Sequence, residues 1–258
     1  MISRVLGHPR KSLLLIIQMA AAVLLGSAAG NGQTAPAPLR YEVASIKRAD
    51  PDARPAFDFS PSGDVTATIT TKFLVQFAFG LPDYRVLGGG RWFEYENYRI
   101  VAKPPEGPLP DKQRMQVEAA ERIRSLLAER FHLEAHRETR ELPVYSLVVA
   151  KDGPKLREVP RDPNFKLRLG KGRIVAHGAK IDLLATLLAN HLNRSVLNNT
   201  GLDNYYDITL EYAIDETLPD AGPSIFTALQ EQLGLRLEAR KGPVEVLIID
   251  TVARPSEN

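Results

Sequence analysis

His132, Glu134, His136 and Glu138 alternate along the stretch His-Leu-Glu-Ala-His-Arg-Glu. In an extended strand alternate side chains share a face, so two imidazoles and two carboxylates would line one side. Imidazole nitrogen with carboxylate oxygen is a zinc donor set, provided the ligands are fixed in a tetrahedral arrangement. The competing reading is a solvated strand face, with Leu133 and Ala135 turned inward. A second stretch bears on the choice. Arg130–Ala150 aligns with Gln232–Thr251. Each has an apolar residue closing a helix (Phe131, Leu233), an alternating strand, a short polar turn, a proline (Pro143, Pro243) and a long apolar strand. Gly234, Arg236 and Glu238 match the histidine stretch, and none is a histidine. The repeat favours the solvated face. No metal site is expected, with His132 and His136 as the alternative ligands.

Gly88-Gly89-Gly90 has no lysine and serine or threonine behind it, so it is not a phosphate loop. A tight turn or bulge, opening no convincing helix, accounts for three glycines. Arg91, Trp92, Phe93 and Tyr95 follow, and Trp92 is the only tryptophan. Rigid aromatics beside an arginine suit a recognition surface, so these four are the candidate binding residues. The alternative puts Trp92 and Phe93 in the interior. Asp203, Asp207, Glu211 and Asp215 recur every fourth residue, but the local pattern is that of a strand with these acids outward. They lack calcium-loop spacing, and nothing selects a catalytic pair. There is no GxSxG, HExxH, SxxK or Walker sequence, and no cysteine for thiol catalysis. No catalytic residue and no cofactor are expected. Asn193-Arg-Ser195 and Asn198-Asn-Thr200 fit a glycosylation acceptor, a pattern short enough to arise by chance.

The N-terminus indicates where such a chain works. Arg4, Arg10 and Lys11 precede an apolar run, Leu13–Leu25, and then Gly26-Ser-Ala-Ala-Gly30. That order reads as a signal peptide over residues 1–30, cleaved on export, with no stable membrane span left. The expected location is periplasmic or extracellular. The 33 basic and 31 acidic residues give a net charge of +2. Without the three basic residues of the leader it is −1, with signs interleaved, which excludes a nucleic-acid footprint.

The elements that must position these residues follow from periodicity. Residues 31–40 read as a flexible mature N-terminus. Tyr41–Lys47 alternates as a strand. Phe57–Ser60 and Asp64–Ile69 flank a hairpin turn. Thr70 or Thr71 caps a short helix, and Asp111 caps a long one to about Phe131. Hairpins are expected from Leu133–Thr139 with Val144–Ala150, and from Leu235–Ala239 with Val244–Thr251. Ile181–Leu192 is a helix apolar almost all round. Ser224 caps the last helix. The whole reads as α+β: two similar β-α-β-β-α-β-β halves, with mostly antiparallel sheets and helices on one face of each. The halves run 41–152 and 165–252, with a linker at 153–164 and a polar tail at 253–258.

Four stretches carry a resemblance: YEVASIK (41–47), LLAERFHLEAHRETRELPVYSLVVAKDGPKL (126–156), TGLDNYYDITLEY (200–212) and SIFTALQEQLGLRLEARKGPVEVLIIDTVARPSEN (224–258). In these the chain resembles the Solibacter-type family of exported soil-bacterial proteins of unknown function. It departs from that family at Asn198-Asn199, where an acidic-basic pair is usual, and at Arg91, where proline precedes the tryptophan. The resemblance implies secretion and this fold, without an activity. Related domains accompany membrane-embedded metallopeptidase-like sensors, which implies envelope sensing. The short α-β-β units are similar to small secretin domains, an analogy of fold alone. The expectation is an exported, non-enzymatic binding or envelope-sensing module with an unidentified protein or envelope ligand. The alternatives are a secreted hydrolase using carboxylates or a metal, and a self-associating structural envelope protein.

Overall fold

The computed structural model describes residues 38–50, 52–107, 111–163, 165–215 and 222–255. The expected signal peptide lies outside them. The architecture is α+β with mostly antiparallel sheets. Two compact units form: the chain up to Thr139 together with Glu245 onward, and Arg140–Val244.

In the first unit β1 (Val43–Arg48), β2 (Ala56–Phe59), β3 (Val65–Thr70) and β5 (Asn97–Lys103) make an antiparallel sheet in the order β1-β5-β3-β2. Alternation decides its inner face. Val65, Ala67 and Ile69 of β3 and Tyr98, Ile100 and Ala102 of β5 are buried, while Thr66 and Arg99 are exposed. Helix α1 (Thr71–Phe79) is capped by Thr70, whose hydroxyl accepts from the Phe73 N–H at 3.2 Å. Helix α2 (Gly90–Tyr95) is short. Helix α3 (Lys112–Arg130) begins at Asp111, whose carboxylate accepts from the Arg114 N–H at 3.0 Å. Arg124 joins α3 to α1, donating to the Ala78 carbonyl at 2.7 Å and lying over the Phe79 ring. Leu74, Phe77, Ile123, Leu127 and Phe131 fill the core with the sheet residues. Each such side chain contributes about 1.5–3 kcal/mol on burial.

The second unit has a sheet of the same strand order. Here β7 (Arg157–Val159), β8 (Lys166–Gly170), β9 (Arg173–Ala179) and β11 (Tyr205–Glu211) form an antiparallel sheet in the order β7-β11-β9-β8. Strand β7 falls in the stretch expected to link two halves. Helix α4 (Ile181–Leu192) buries Ile181, Leu184, Ala185, Leu187, Leu188 and Ala189, so its all-round apolar sequence matches a broad buried surface. Helix α5 (Ile225–Leu233) is capped by Ser224, as expected. Each unit also has a short strand beside a long one. Strand β4 (Val86–Gly88) runs parallel to the end of β12 (Leu235–Thr251), and β10 (Val196–Asn198) parallel to the end of β6 (Glu134–Val149).

Strands β6 and β12 correct two expectations. The stretches read as hairpins are continuous strands of 16 and 17 residues. A two-residue hairpin turn needs positive φ at its centre, and neither Arg140–Leu142 nor Lys241–Gly242 has it. The alternation simply runs on through Pro143 and Pro243. Both unit borders fall inside these strands.

Each long strand leaves its helix through one left-handed residue. After α3 this is His132, at φ 49°, and after α5 it is Gly234, at φ 63°. The Leu133 N–H closes the first turn on the Leu127 carbonyl at 3.1 Å. At Gly234 the backbone is also crowded, since a Cβ would lie 2.1 Å from the Gly153 carbonyl oxygen. Two structurally matching positions therefore have opposite expected responses. His132→Gly should stabilise the protein by about 1 kcal/mol, because a side chain is strained in this region. Gly234→Ala should cost about 2 kcal/mol or more, from strain and overlap together. Urea unfolding of both variants measures this, and equal responses would contradict it.

Candidate functional site

The glycine turn is built for glycine. Gly88, Gly89 and Gly90 have φ of 94°, 87° and 74°. A Cβ on Gly88 would sit 3.0 Å from the Ile249 carbonyl oxygen, and one on Gly89 would lie 2.5 Å from the Phe93 ring. The turn does open a helix, which the sequence did not suggest. At six residues α2 is too short to leave a readable 3.6-residue period.

That helix separates the four candidate residues. Phe93 is wholly buried in the first unit's core. Trp92 is half-buried, edge-on to Phe93 at 6.3 Å and to Tyr98 at 6.4 Å. Its outer face is covered by Arg254, whose guanidinium carbon lies 5.2 Å from the ring centre. Arg254 also forks onto Glu96, with Nε to Oε2 at 3.0 Å and Nη2 to Oε1 at 2.8 Å. The Tyr98 hydroxyl donates to Glu96 at 3.3 Å, and Arg48 approaches it at 3.5 Å. The hydrogen bond from Arg254 holds the Glu96 carboxyl below its usual range. Lys72 steadies the other side of α2, with its ammonium 2.9 Å from both Glu94 and Asp83. Arg91 and Tyr95 are left pointing outward, and Tyr95 is 70% exposed. The sequence picked out these four residues but did not separate the inward from the outward ones. It also missed Glu96 and Arg254, since no short-range pattern connects residues 158 positions apart.

The remaining candidates are distributed differently. His132 occupies the left-handed turn before β6, so it does not share a strand face with His136. His136 Nδ1 lies 2.9 Å from the Asp250 carboxylate. Among the described residues no three His, Cys, Asp or Glu side chains could share a metal ion. Along β11, Asp207 and Glu211 each have a cation of their own. Arg157 donates to Asp207, from Nε at 3.1 Å, and Arg173 pairs with Glu211 at 2.9 Å. His177 Nδ1 and the Gly178 N–H approach Asp207 at 3.3 Å. An open, polar cleft of about 430 Å³ lies beside Glu211, with Lys171, Arg173, Tyr212 and Gln232 on its walls. The Gln232 amide takes both backbone groups of Glu211, at 2.9 and 2.8 Å. The Asn198 amide donates to Asp182 at 3.0 Å, which a carboxylate could not do. The Asn199 amide donates to the buried Ser146 hydroxyl at 2.7 Å.

Residues 72–252 match the family described as Protein of unknown function (DUF3738). The chain belongs to that family. No curated protein and no solved structure matches it. The DUF3738 match takes in α2, Trp92 and Glu96 and ends two residues before Arg254.

The division within α2 fixes a contrast between variants. Phe93→Ala should cost about 3–5 kcal/mol, as for other buried phenylalanines. Tyr95→Ala should change stability by less than about 0.5 kcal/mol. Thermal melts of the two variants test this, and similar losses would place Tyr95 in the core. A second expectation concerns pH. Asp207 is held below its usual value of 3.8, chiefly by the hydrogen bond from Arg157. A depressed carboxyl adds stability that is complete above its unfolded value and is lost as pH falls through its folded value. The stability gap between wild type and Asp207→Asn should therefore be constant at neutral pH and narrow below about pH 4. A gap unchanged at pH 2 would contradict this.

Proposed function

We propose that this DUF3738 protein is an exported, non-enzymatic binding module of the bacterial envelope, of the Solibacter-type group, working in the periplasm or outside the cell. Its contact face is the outward side of α2. The observation that carries this reading is the rigid presentation of Arg91 and Tyr95. Behind them Phe93 is fully buried, and Lys72 links α2 to α1 and to the Asp83 turn. An exposed tyrosine beside an exposed arginine on an immobile support loses little conformational entropy on binding, which is the economy of interface anchors.

The basic start, apolar run and small residues of the first thirty positions support export. The repeated strand order, β1-β5-β3-β2 and β7-β11-β9-β8, supports reading the two units as copies of one plan. On that reading a specific role belongs where the copies differ, and the glycine turn with α2 is such a place.

The full chain immobilised against envelope extract should retain a partner that the Arg91→Ala, Tyr95→Ala double variant retains at least about tenfold less well, the loss of one or two anchor residues. The melting temperatures should agree. Equal retention by the two proteins would remove α2 as the contact face.

A further inference from the structure

Trp92, Glu96 and Tyr98 form more than a surface ion pair. An aromatic face and a carboxylate lie around one guanidinium, which stacks on the first and forks onto the second. This combination suits arginine and not lysine, because only a planar guanidinium can stack and donate two parallel hydrogen bonds together. We propose that Trp92, Glu96 and Tyr98 are a binding socket for the arginine of an extended peptide, held closed by the chain's own Arg254. This goes beyond the contact face on α2 and does not depend on it.

Three observations support an exchangeable site. First, the socket is formed without its occupant. Trp92 is held edge-on by Phe93 and Tyr98, and Glu96 keeps the Tyr98 hydroxyl and Arg48 when Arg254 leaves. Removing the tail therefore strands no unpaired charge, the outcome that makes most broken ion pairs costly. Second, the occupant lies outside the sheet. Strand β12 stops at Thr251, and beyond it the Ala253 N–H donates to the Phe131 carbonyl at 2.7 Å and Pro255 is buried. Residues 252–255 carry no strand pairing, and segments outside a strand ladder open more readily than strands. Third, the Arg254 side chain remains 56% exposed while engaged, so an incoming peptide can displace it stepwise. The tail itself shows the ligand's form: Val-Ala-Arg-Pro, residues 252–255, with the arginine in the socket and the proline buried.

Trp92 is the sole tryptophan and reports occupancy by fluorescence. The probe is the blocked peptide acetyl-Val-Ala-Arg-Pro-amide, titrated into the full chain. Arg254→Ala should give a saturable change in Trp92 emission. Wild type should bind the same peptide at least about tenfold more weakly, because its tethered tail competes at millimolar effective concentration. The lysine peptide acetyl-Val-Ala-Lys-Pro-amide should bind Arg254→Ala at least about tenfold more weakly than the arginine peptide. The proposal is overturned if Arg254→Ala shows no saturable change at millimolar peptide, if lysine and arginine peptides bind alike, or if wild type binds as tightly as the variant. Should Arg254→Ala melt too low to titrate, Arg254→Lys keeps the charge and decides the matter. It must bind the arginine peptide more tightly than wild type, and equal affinity overturns the socket.

Discussion

A four-stranded antiparallel sheet with one apolar face has to be covered on that face, and the first unit is arranged around this requirement. Because side chains alternate with a period of two, the register that buries Val65, Ala67 and Ile69 also buries Tyr98, Ile100 and Ala102. A slip of one residue would turn the three buried residues of the slipped strand outward, so the pairing of β3 with β5 is strongly specified. Tyr98 is where this constraint reaches the surface. Its ring packs edge-on to Phe131 at 5.7 Å, and its hydroxyl lies at the rim against Glu96. The core thereby fixes the position of the charged cluster above it.

Magnitudes separate support from recognition at that rim. A buried phenylalanine such as Phe93 is worth several kcal/mol. Arg254, over Trp92 and forked onto Glu96, lies in the open, where water screens the pair. The core is what holds α2 in place. In α2 itself, residues two positions apart face opposite ways, which is why one short helix carries both a core residue, Phe93, and exposed ones, Arg91 and Tyr95.

The antiparallel sheets of the two units have the same strand order, and the differences between the units are informative. Both α3 and α5 end in a left-handed residue that redirects the chain into a long strand. At one the residue is histidine and at the other glycine. Gly234 lies against the Gly153 carbonyl, and no side chain fits. His132 is exposed, so its side chain extends into solvent despite the strain of positive φ.

Composition and periodicity determined much of this protein. The α+β class, the caps at Thr70, Asp111 and Ser224 and the buried breadth of α4 all depend on short-range pattern, and short-range pattern is written in the sequence. The same information located the glycine turn and its aromatic residues. It did not distinguish a hairpin from a continuous strand at Pro143 and Pro243, because alternation is the same in both and only the pairing partner decides. It also placed His132 with His136 on one face, when the helix exit moves His132 out of the strand. Above all it left Arg254 in a featureless polar tail. The contact of that residue with Trp92 and Glu96 exists because Ala253 is hydrogen-bonded to Phe131 and Pro255 is buried. Such a contact links positions far apart in the chain, and only the packing of the folded unit brings them together.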